Sequence, residues 1–180
     1  MFGPVIEGKL IRLRPQTLEE APILVRFFED IEVTRFLSLQ TVPTLEFEES
    51  WIRERGSDSD TLGWAIEYKG RLVGFTGMDI DWTRQQASTG TVIGDRSAWG
   101  LGIASEAMRL RRDYAFQHLS LRKLTSSYIK DNVASGRAQA KAGYRVVGCR
   151  RQEYYRDGAW RDLLLTEIHR DQWEAIMAAS

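Results

Sequence analysis

Cysteine is almost missing from this chain. Cys149 stands alone, so no intrachain disulfide can form. A single thiol fits a reducing compartment, and the expected location is the cytoplasm. Histidine occurs only twice, as His118 and His169. They lie too far apart in sequence for metal-ligand spacing, so no metal site is expected. No apolar run reaches the roughly 18 residues that a membrane-spanning helix needs, and Met1 to Leu10 shows no signal-peptide pattern. Net charge is absent too, because 25 Lys+Arg balance 25 Asp+Glu. That leaves no electrostatic case for nucleic acid or an anionic membrane as partner. There is no internal repeat and no low-complexity segment. The 180 residues are read as one domain, 1–180, long enough for a full core.

What is present reads as alternating strands and capped helices. Leu10 to Arg14 places Ile11 and Leu13 on one face, a first strand. Thr17 and Glu20 form a capping box ahead of a helical face made by Leu18, Ala21, Val25 and Phe28, although Pro22 predicts that this helix starts late. Thr44 caps a second helix, with Glu46, Glu48 and Glu49 near its positive end. Trp64–Tyr68, a Lys69-Gly70 turn and Leu72–Asp81 predict a hairpin. Thr89–Ile93 and Lys123–Ile129 are further strands. An alanine-rich helix after Asp131–Ser135 stops at Gly143 in the left-handed position. Tyr144–Cys149 and Leu163–Ile168 are strands joined through Arg156-Asp157-Gly158, and the tail from Trp173 is helical. The order β-α-α-β-β-β-α-β-α-β-β predicts a mixed sheet with helices on its faces, an α/β or α+β class.

The stretch that organises this pattern is GTVIGDRSAWGLGIASEA, residues 90–107. A strand runs into Gly100-Leu101-Gly102 and then a helix whose Ile103, Ala107, Leu110 and Tyr114 make one stripe, ending near His118. Glycines ahead of a helix start allow close backbone approach, and the first turn offers unpaired N–H groups to an anion. The same glycines also suit an ordinary turn. A dinucleotide-binding oxidoreductase is a weaker reading: the third glycine is absent and the loop follows several strands instead of opening a βαβ unit.

Together with LIRLRP (10–15), DNVASGRAQAKAGYR (131–145) and DGAWRD (157–162), this stretch resembles the GNAT-superfamily N-acetyltransferases, specifically the ribosomal-protein N-acetyltransferase branch of the RimJ/RimL type. The resemblance runs from Leu10 to about Trp173. It implies a mostly antiparallel central sheet of about seven strands with helices on both faces. A β-bulge is expected to splay Thr89–Ile93 from Lys123–Ile129, so that acetyl-CoA wedges between them. By this resemblance the cofactor-binding residues are Val92, Ile93 and Gly94 for the pantetheine, with Trp99, Gly100, Leu101, Gly102, Ile103, Ala104 and Ser105 for the pyrophosphate. Asn132 contacts the pantetheine and Ser135 lies near the sulfur as a proton donor. Both also sit where a helix cap sits. The superfamily's Gln or Arg before the glycine turn is Ser97 here, beside Arg96.

The implied reaction is transfer of an acetyl group from acetyl-CoA to a primary amine, a small molecule or a protein N-terminus, by direct attack in a ternary complex. The alternative is a catalytically weak acetyl-CoA-binding sensor or partner-binding module. A homodimer is left open. The general base has no obvious seat. Relatives often carry Glu where Ser88 stands, and Glu153, on the strand after Gly148, is the other candidate. Cys149 reads as a small buried hydrophobe. Trp64, Trp82 and Trp160 read as core residues before groove residues, and Asp79 and Asp81 as solvated carboxylates or an amine-binding pair.

Overall fold

The computed structural model describes residues 1–38 and 41–179. Its strands are β1 (Ile6–Glu7), β2 (Arg12–Arg14), β3 (Thr61–Tyr68), β4 (Arg71–Asp81), β5 (Gln86–Ile93), β6 (Lys123–Ile129), β7 (Arg145–Arg156) and β8 (Ala159–His169). Its helices are α1 (Ala21–Glu29), α2 (Ile31–Thr34), α3 (Leu45–Ser57), α4 (Ile103–His118), α5 (Val133–Lys141) and α6 (Arg170–Ala178). They assemble into one sheet of order β1-β2-β3-β4-β5-β6-β8-β7. Every pairing is antiparallel except β5–β6. Among the described residues the sheet thus has eight strands, against about seven expected. The additional β1 is too short to show any alternation, and the four-residue α2 likewise escapes a periodicity argument.

Several local expectations hold for the stated reasons. Thr17 and Glu20 form their capping box over a 3₁₀ turn, and α1 begins only at Ala21, with Pro22 inside its first turn. The Thr44 side chain accepts the Phe47 N–H at 3.2 Å and starts α3. Lys69 and Gly70 both take positive φ between β3 and β4, and Gly143 takes φ 90° after α5.

Helices cover both faces of the sheet. Ile103, Ala107 and Phe116 of α4 and Trp173 of α6 share a buried cluster with Trp64, Met78 and Leu124. On the other side Ala21 and Leu24 of α1 and Ile52 of α3 pack with Leu72 and Phe75 of β4. Helix α4 departs from its single stripe. Ile103 and Ala107 are buried, Leu110 and Tyr114 only partly, and burial extends to Met108, Arg111, Arg112 and Phe116. Arg112 is accommodated because it caps the end of α5, donating to the Ala142 carbonyl at 2.7 Å.

The sheet forks at its centre. β5 and β6 pair only where Gln86–Ser88 meets Lys123–Thr125. Side chains close the apex: the Thr89 hydroxyl donates to the Thr125 carbonyl at 2.8 Å, and the Ser126 hydroxyl to the Thr89 carbonyl at 3.0 Å. The expected bulge lies elsewhere. β5 stays in continuous register with β4 from Gln86 to Ile93, whereas the shift in β4 leaves Val73 between the pairs Ile66↔Gly74 and Glu67↔Leu72. The Val73 carbonyl accepts the N–H groups of Gly94 at 2.9 Å and Asp95 at 3.1 Å, fixing the far end of β5.

Cys149 corrects another expectation, because it is exposed. It lies on β7, the sheet edge, which is open along most of its length on both faces. Trp64 is fully buried as expected, but Trp82 and Trp160 are exposed.

Candidate active site

Alternation along β5 decides what the fork offers. The register with β4 turns the peptide edges of Ser88, Gly90 and Val92 toward β4, and those of Thr89, Thr91 and Ile93 toward β6. Because β6 has diverged, Thr91 and Ile93 face an opening. The indole Nε1 of Trp99 already occupies the Ile93 carbonyl, at 2.9 Å. The Gly94 N–H is committed to Val73, so its edge faces β4 and not the opening.

The opening belongs to a cavity of about 490 Å³. One wall is Thr91, Val92 and Ile93 of β5, and another is Trp99, Gly100 and Gly102 with Ile103, Ala104, Ser105 and Met108 of α4. Asn132, Ala134, Ser135, Arg137, Ala138 and Lys141 of the α5 side form a third. Glu32, Val33, Phe36 and Leu37 close the remaining end. Ten of the twelve residues named from the sequence as cofactor contacts, Asn132 and Ser135 among them, therefore meet at one cavity; Gly94 and Leu101 do not line it.

The glycine turn is shaped for close approach. Gly100 has φ 76° and Gly102 φ 87°, and Gly102 is the N-cap residue of α4. A Cβ on Gly100 would meet nothing within 4 Å. The space beside the turn is free for a ligand at the positive end of a long helix. Asp95 holds the approach to this turn, accepting from the Ser97 N–H at 2.9 Å and the Ser97 hydroxyl at 2.6 Å. Ser97 is thereby occupied within the loop.

Asn132 and Ser135 divide two roles. Asn132 Oδ1 accepts the Ser135 N–H at 3.0 Å and caps α5. The Ser135 hydroxyl accepts from Gln139 Nε2 at 3.2 Å. Glu153 lies apart from the cavity, on β7, where its Oε1 accepts from Arg150 at 3.0 Å. Asp79 pairs with Arg55 at 3.2 Å and Asp81 with Arg84 at 3.5 Å, neither of them at the cavity.

Sequence reasoning missed two groups of lining residues. Arg137 and Lys141 stand four apart on α5, one turn of helix, and bring two cations to the lining. Their spacing was visible; their direction was not. Glu32 and Phe36 come from a segment held down by the β7–β8 hairpin. Arg156 donates to the Leu37 carbonyl at 2.5 Å, and Arg35 pairs with Asp157 at 2.7 Å. Among the described residues, Glu32 is the only carboxylate lining the cavity.

An open strand edge, a helix-start glycine turn and two cations suit an elongated ligand that carries amides at one end and phosphates at the other. Comparison with known proteins agrees with this geometry. The sequence model of the acetyltransferase (GNAT) domain matches residues 11–145. The chain belongs to the GNAT acetyltransferase family. Its reaction class is N-acetyl transfer.

Among relatives of this GNAT chain, the uncharacterized N-acetyltransferase YoaA of Bacillus subtilis is 28% identical over 161 residues, covering 86% of this chain and 90% of that protein. The fold is shared with RimL, a ribosomal L7/L12 alpha-N-protein acetyltransferase solved in complex with coenzyme A. The TM-score is 0.83 at 18% identity, over 92% of this chain and 98% of the other. It is shared equally with spermidine N-acetyltransferase from Vibrio cholerae, solved in complex with CoA and spermine. There the TM-score is 0.84 at 15% identity, over 93% and 99% of the two chains. Two such different acceptors on one fold mean that the fold does not specify the acceptor.

Proposed function

We propose that this chain transfers the acetyl group of acetyl-CoA to a primary amine, on a small molecule or a protein N-terminus, by direct attack within a ternary complex. The observation that carries this reading is the meeting, at one cavity, of the β5 edge at Thr91 that β6 leaves unpaired, the glycine turn at α4 and Ser135. The extended arm of acetyl-CoA carries amides that match a strand edge, and its pyrophosphate matches the Gly100–Ser105 amides. Arg137 and Lys141 supply charge for phosphate. The CoA complexes of the fold neighbours support the same choice.

The chemistry then assigns roles to residues of this chain. The amine nitrogen attacks the thioester carbon, the carbon–sulfur bond breaks, the nitrogen loses a proton and the sulfur gains one. The Ser135 hydroxyl donates toward the departing thiolate. The Thr91 N–H, facing the fork, is placed for the carbonyl oxygen on which charge develops. The acceptor enters from the end lined by Glu32, Val33, Phe36 and Leu37, where Glu32 offers a carboxylate to a cationic amine.

The test is a thiol-release screen with acetyl-CoA across peptides, polyamines, amino sugars and free amino acids, followed by mass spectrometry of the product. A product heavier by one acetyl group, formed with stoichiometric free thiol, is the expected result. Tight acetyl-CoA binding with no thiol release from any acceptor would assign the sensor alternative instead.

A further inference from the structure

Helix α4 carries a cation that nothing in the acyl-transfer scheme above uses. Arg111 is 1% exposed. Among the described residues no carboxylate lies within ion-pairing distance of it, and its Nε, without accessible surface, has no hydrogen-bond partner. Burying an unpaired guanidinium is costly. Nearly all its contacts are with neutral oxygens at the fork. Its NH1 group donates to the Gly90 carbonyl at 2.6 Å, the Thr76 hydroxyl at 2.7 Å, the Thr91 hydroxyl at 2.9 Å and the Gly77 carbonyl at 3.3 Å. NH2 reaches the Tyr144 hydroxyl, at 3.4 Å.

The contact with Gly90 has a consequence at the site. The Gly90 carbonyl and the Thr91 N–H belong to one peptide group. The carbonyl points toward β4 and Arg111; the N–H points the opposite way, into the fork. A charge-assisted hydrogen bond on the oxygen withdraws electron density from the amide and makes its N–H a stronger donor. Exclusion of water from a buried guanidinium lessens the screening of its field.

We propose that Arg111 is a positioning residue for acyl transfer. It polarises the Gly90–Thr91 peptide from beneath the sheet and so strengthens the Thr91 N–H toward the acetyl carbonyl. Arg111 touches neither the thioester nor the amine; it acts through one peptide group. This inference rests on the proposed acetyl-CoA reaction.

The test reads the thioester carbonyl directly. Infrared difference spectra of carbonyl-labelled acetyl-CoA are recorded free and bound to the wild-type protein, Arg111→Gln and Arg111→Lys, with affinity from calorimetry. A polarised carbonyl absorbs at lower frequency. The band should move down on binding to wild type, return most of the way to its free position in Arg111→Gln, and stay lowered in Arg111→Lys, which keeps the charge. With the acceptor found by the thiol-release screen, kcat of Arg111→Gln should fall about tenfold or more while the KM for acetyl-CoA stays within about twofold. A role confined to holding strands would instead change affinity and thermal stability without moving the band of bound ligand. A band that stays at its free position in the wild-type protein overturns the inference even if no variant folds. So does an equal downshift in Arg111→Gln. If the wild-type protein fails to bind acetyl-CoA at all, the proposed reaction falls, and this inference falls with it.

Discussion

Asn132 and Ser135 sit three residues apart, and the Oδ1 of Asn132 accepts the Ser135 N–H at 3.0 Å. Helix α5 is therefore capped by Asn132. Ser135 lines the cavity, and its hydroxyl accepts a bond from Gln139 at 3.2 Å. Gln139 in turn is held by Thr166 at 2.5 Å and reaches the Ser127 carbonyl at 3.3 Å. This arrangement separates two roles that the sequence leaves joined.

Replacing each residue with alanine should split those roles. Asn132→Ala should lower stability by about 1 kcal/mol, the usual worth of an N-cap. Ser135→Ala should leave the melting temperature nearly unchanged and lower kcat more than it raises the KM for acetyl-CoA, because a bond to the thiolate strengthens only as charge develops. A Ser135→Ala protein with wild-type kcat would remove Ser135 from the mechanism.

The glycine turn makes a second prediction with an internal control. A Cβ at Gly102 would approach only Leu10, at 3.8 Å, so packing does not forbid it. Its φ of 87° does impose a backbone cost, roughly 1–2 kcal/mol for an L-residue. Gly70, in the β3–β4 turn away from the cavity, has φ 73° and nothing within 4 Å of a Cβ. Gly102→Ala and Gly70→Ala should therefore lose similar stability by thermal melting. Only Gly102→Ala should also lose acetyl-CoA affinity by calorimetry. Equal affinity in both variants would move the pyrophosphate away from this turn.

The parts of the fold that could be read from the sequence are those with local cause. A capping hydroxyl at Thr44, a left-handed stop at Gly143 and the Lys69-Gly70 turn between β3 and β4 each act within a few residues. Strand β7 shows the limit. Its residues RVVGCRRQEYYR have no period-two pattern, because an edge strand exposed on both faces has no buried face to mark. Gln152 takes φ 54° within an irregular register between Arg150 and Tyr154, which changes the phase just before Glu153. The cofactor side of the site was legible because strand, glycine turn and helix are contiguous. The end lined by Glu32 and Phe36 was not, since docking of α2 is set by Arg35 and Arg156 contacts with partners more than a hundred residues away. The burial of Arg111 was not legible either: its partners on β4 and β5 lie more than twenty residues away in sequence.

Glu48 gives a pH prediction away from the site. It is buried in α3, and loss of solvation raises its carboxyl above the ordinary range. A raised folded-state value means that its favourable contribution is complete below the unfolded value, about 4.3. That contribution is lost as pH rises through the folded value. Glu48→Gln should therefore melt higher than wild type at neutral pH, and the difference should shrink as pH falls toward 4 or so. Melting curves at several pH values check this. A variant less stable than wild type at pH 7 would mean that the ionised carboxylate has a favourable partner in solution.

The last prediction concerns who takes the proton from the acceptor. Glu153 lies off the cavity and is held by Arg150 at 3.0 Å, and the strand before the glycine turn carries Ser88 instead of a carboxylate. Glu32 lines the cavity, but it is exposed, with Arg35 3.9 Å away. Such a group suits holding an ammonium more than removing its proton. An acceptor of low pKa relieves the problem. At pH 7.4 an α-amine of pKa about 7.8 loses only roughly 0.7 kcal/mol to protonation, whereas a lysine near 10.4 loses roughly 4 kcal/mol. The expected acceptor is thus a peptide α-amine deprotonated by solvent. The rise of kcat/KM with pH should then follow the acceptor's own pKa when an α-amine is exchanged for a lysine side chain. Glu153→Gln should leave that rise in place, and Glu32→Gln should raise the acceptor KM without moving it. A rise fixed at one pH for both acceptors belongs to the free enzyme. If either glutamine variant abolished it, that glutamate would be the base and the solvent route would be wrong.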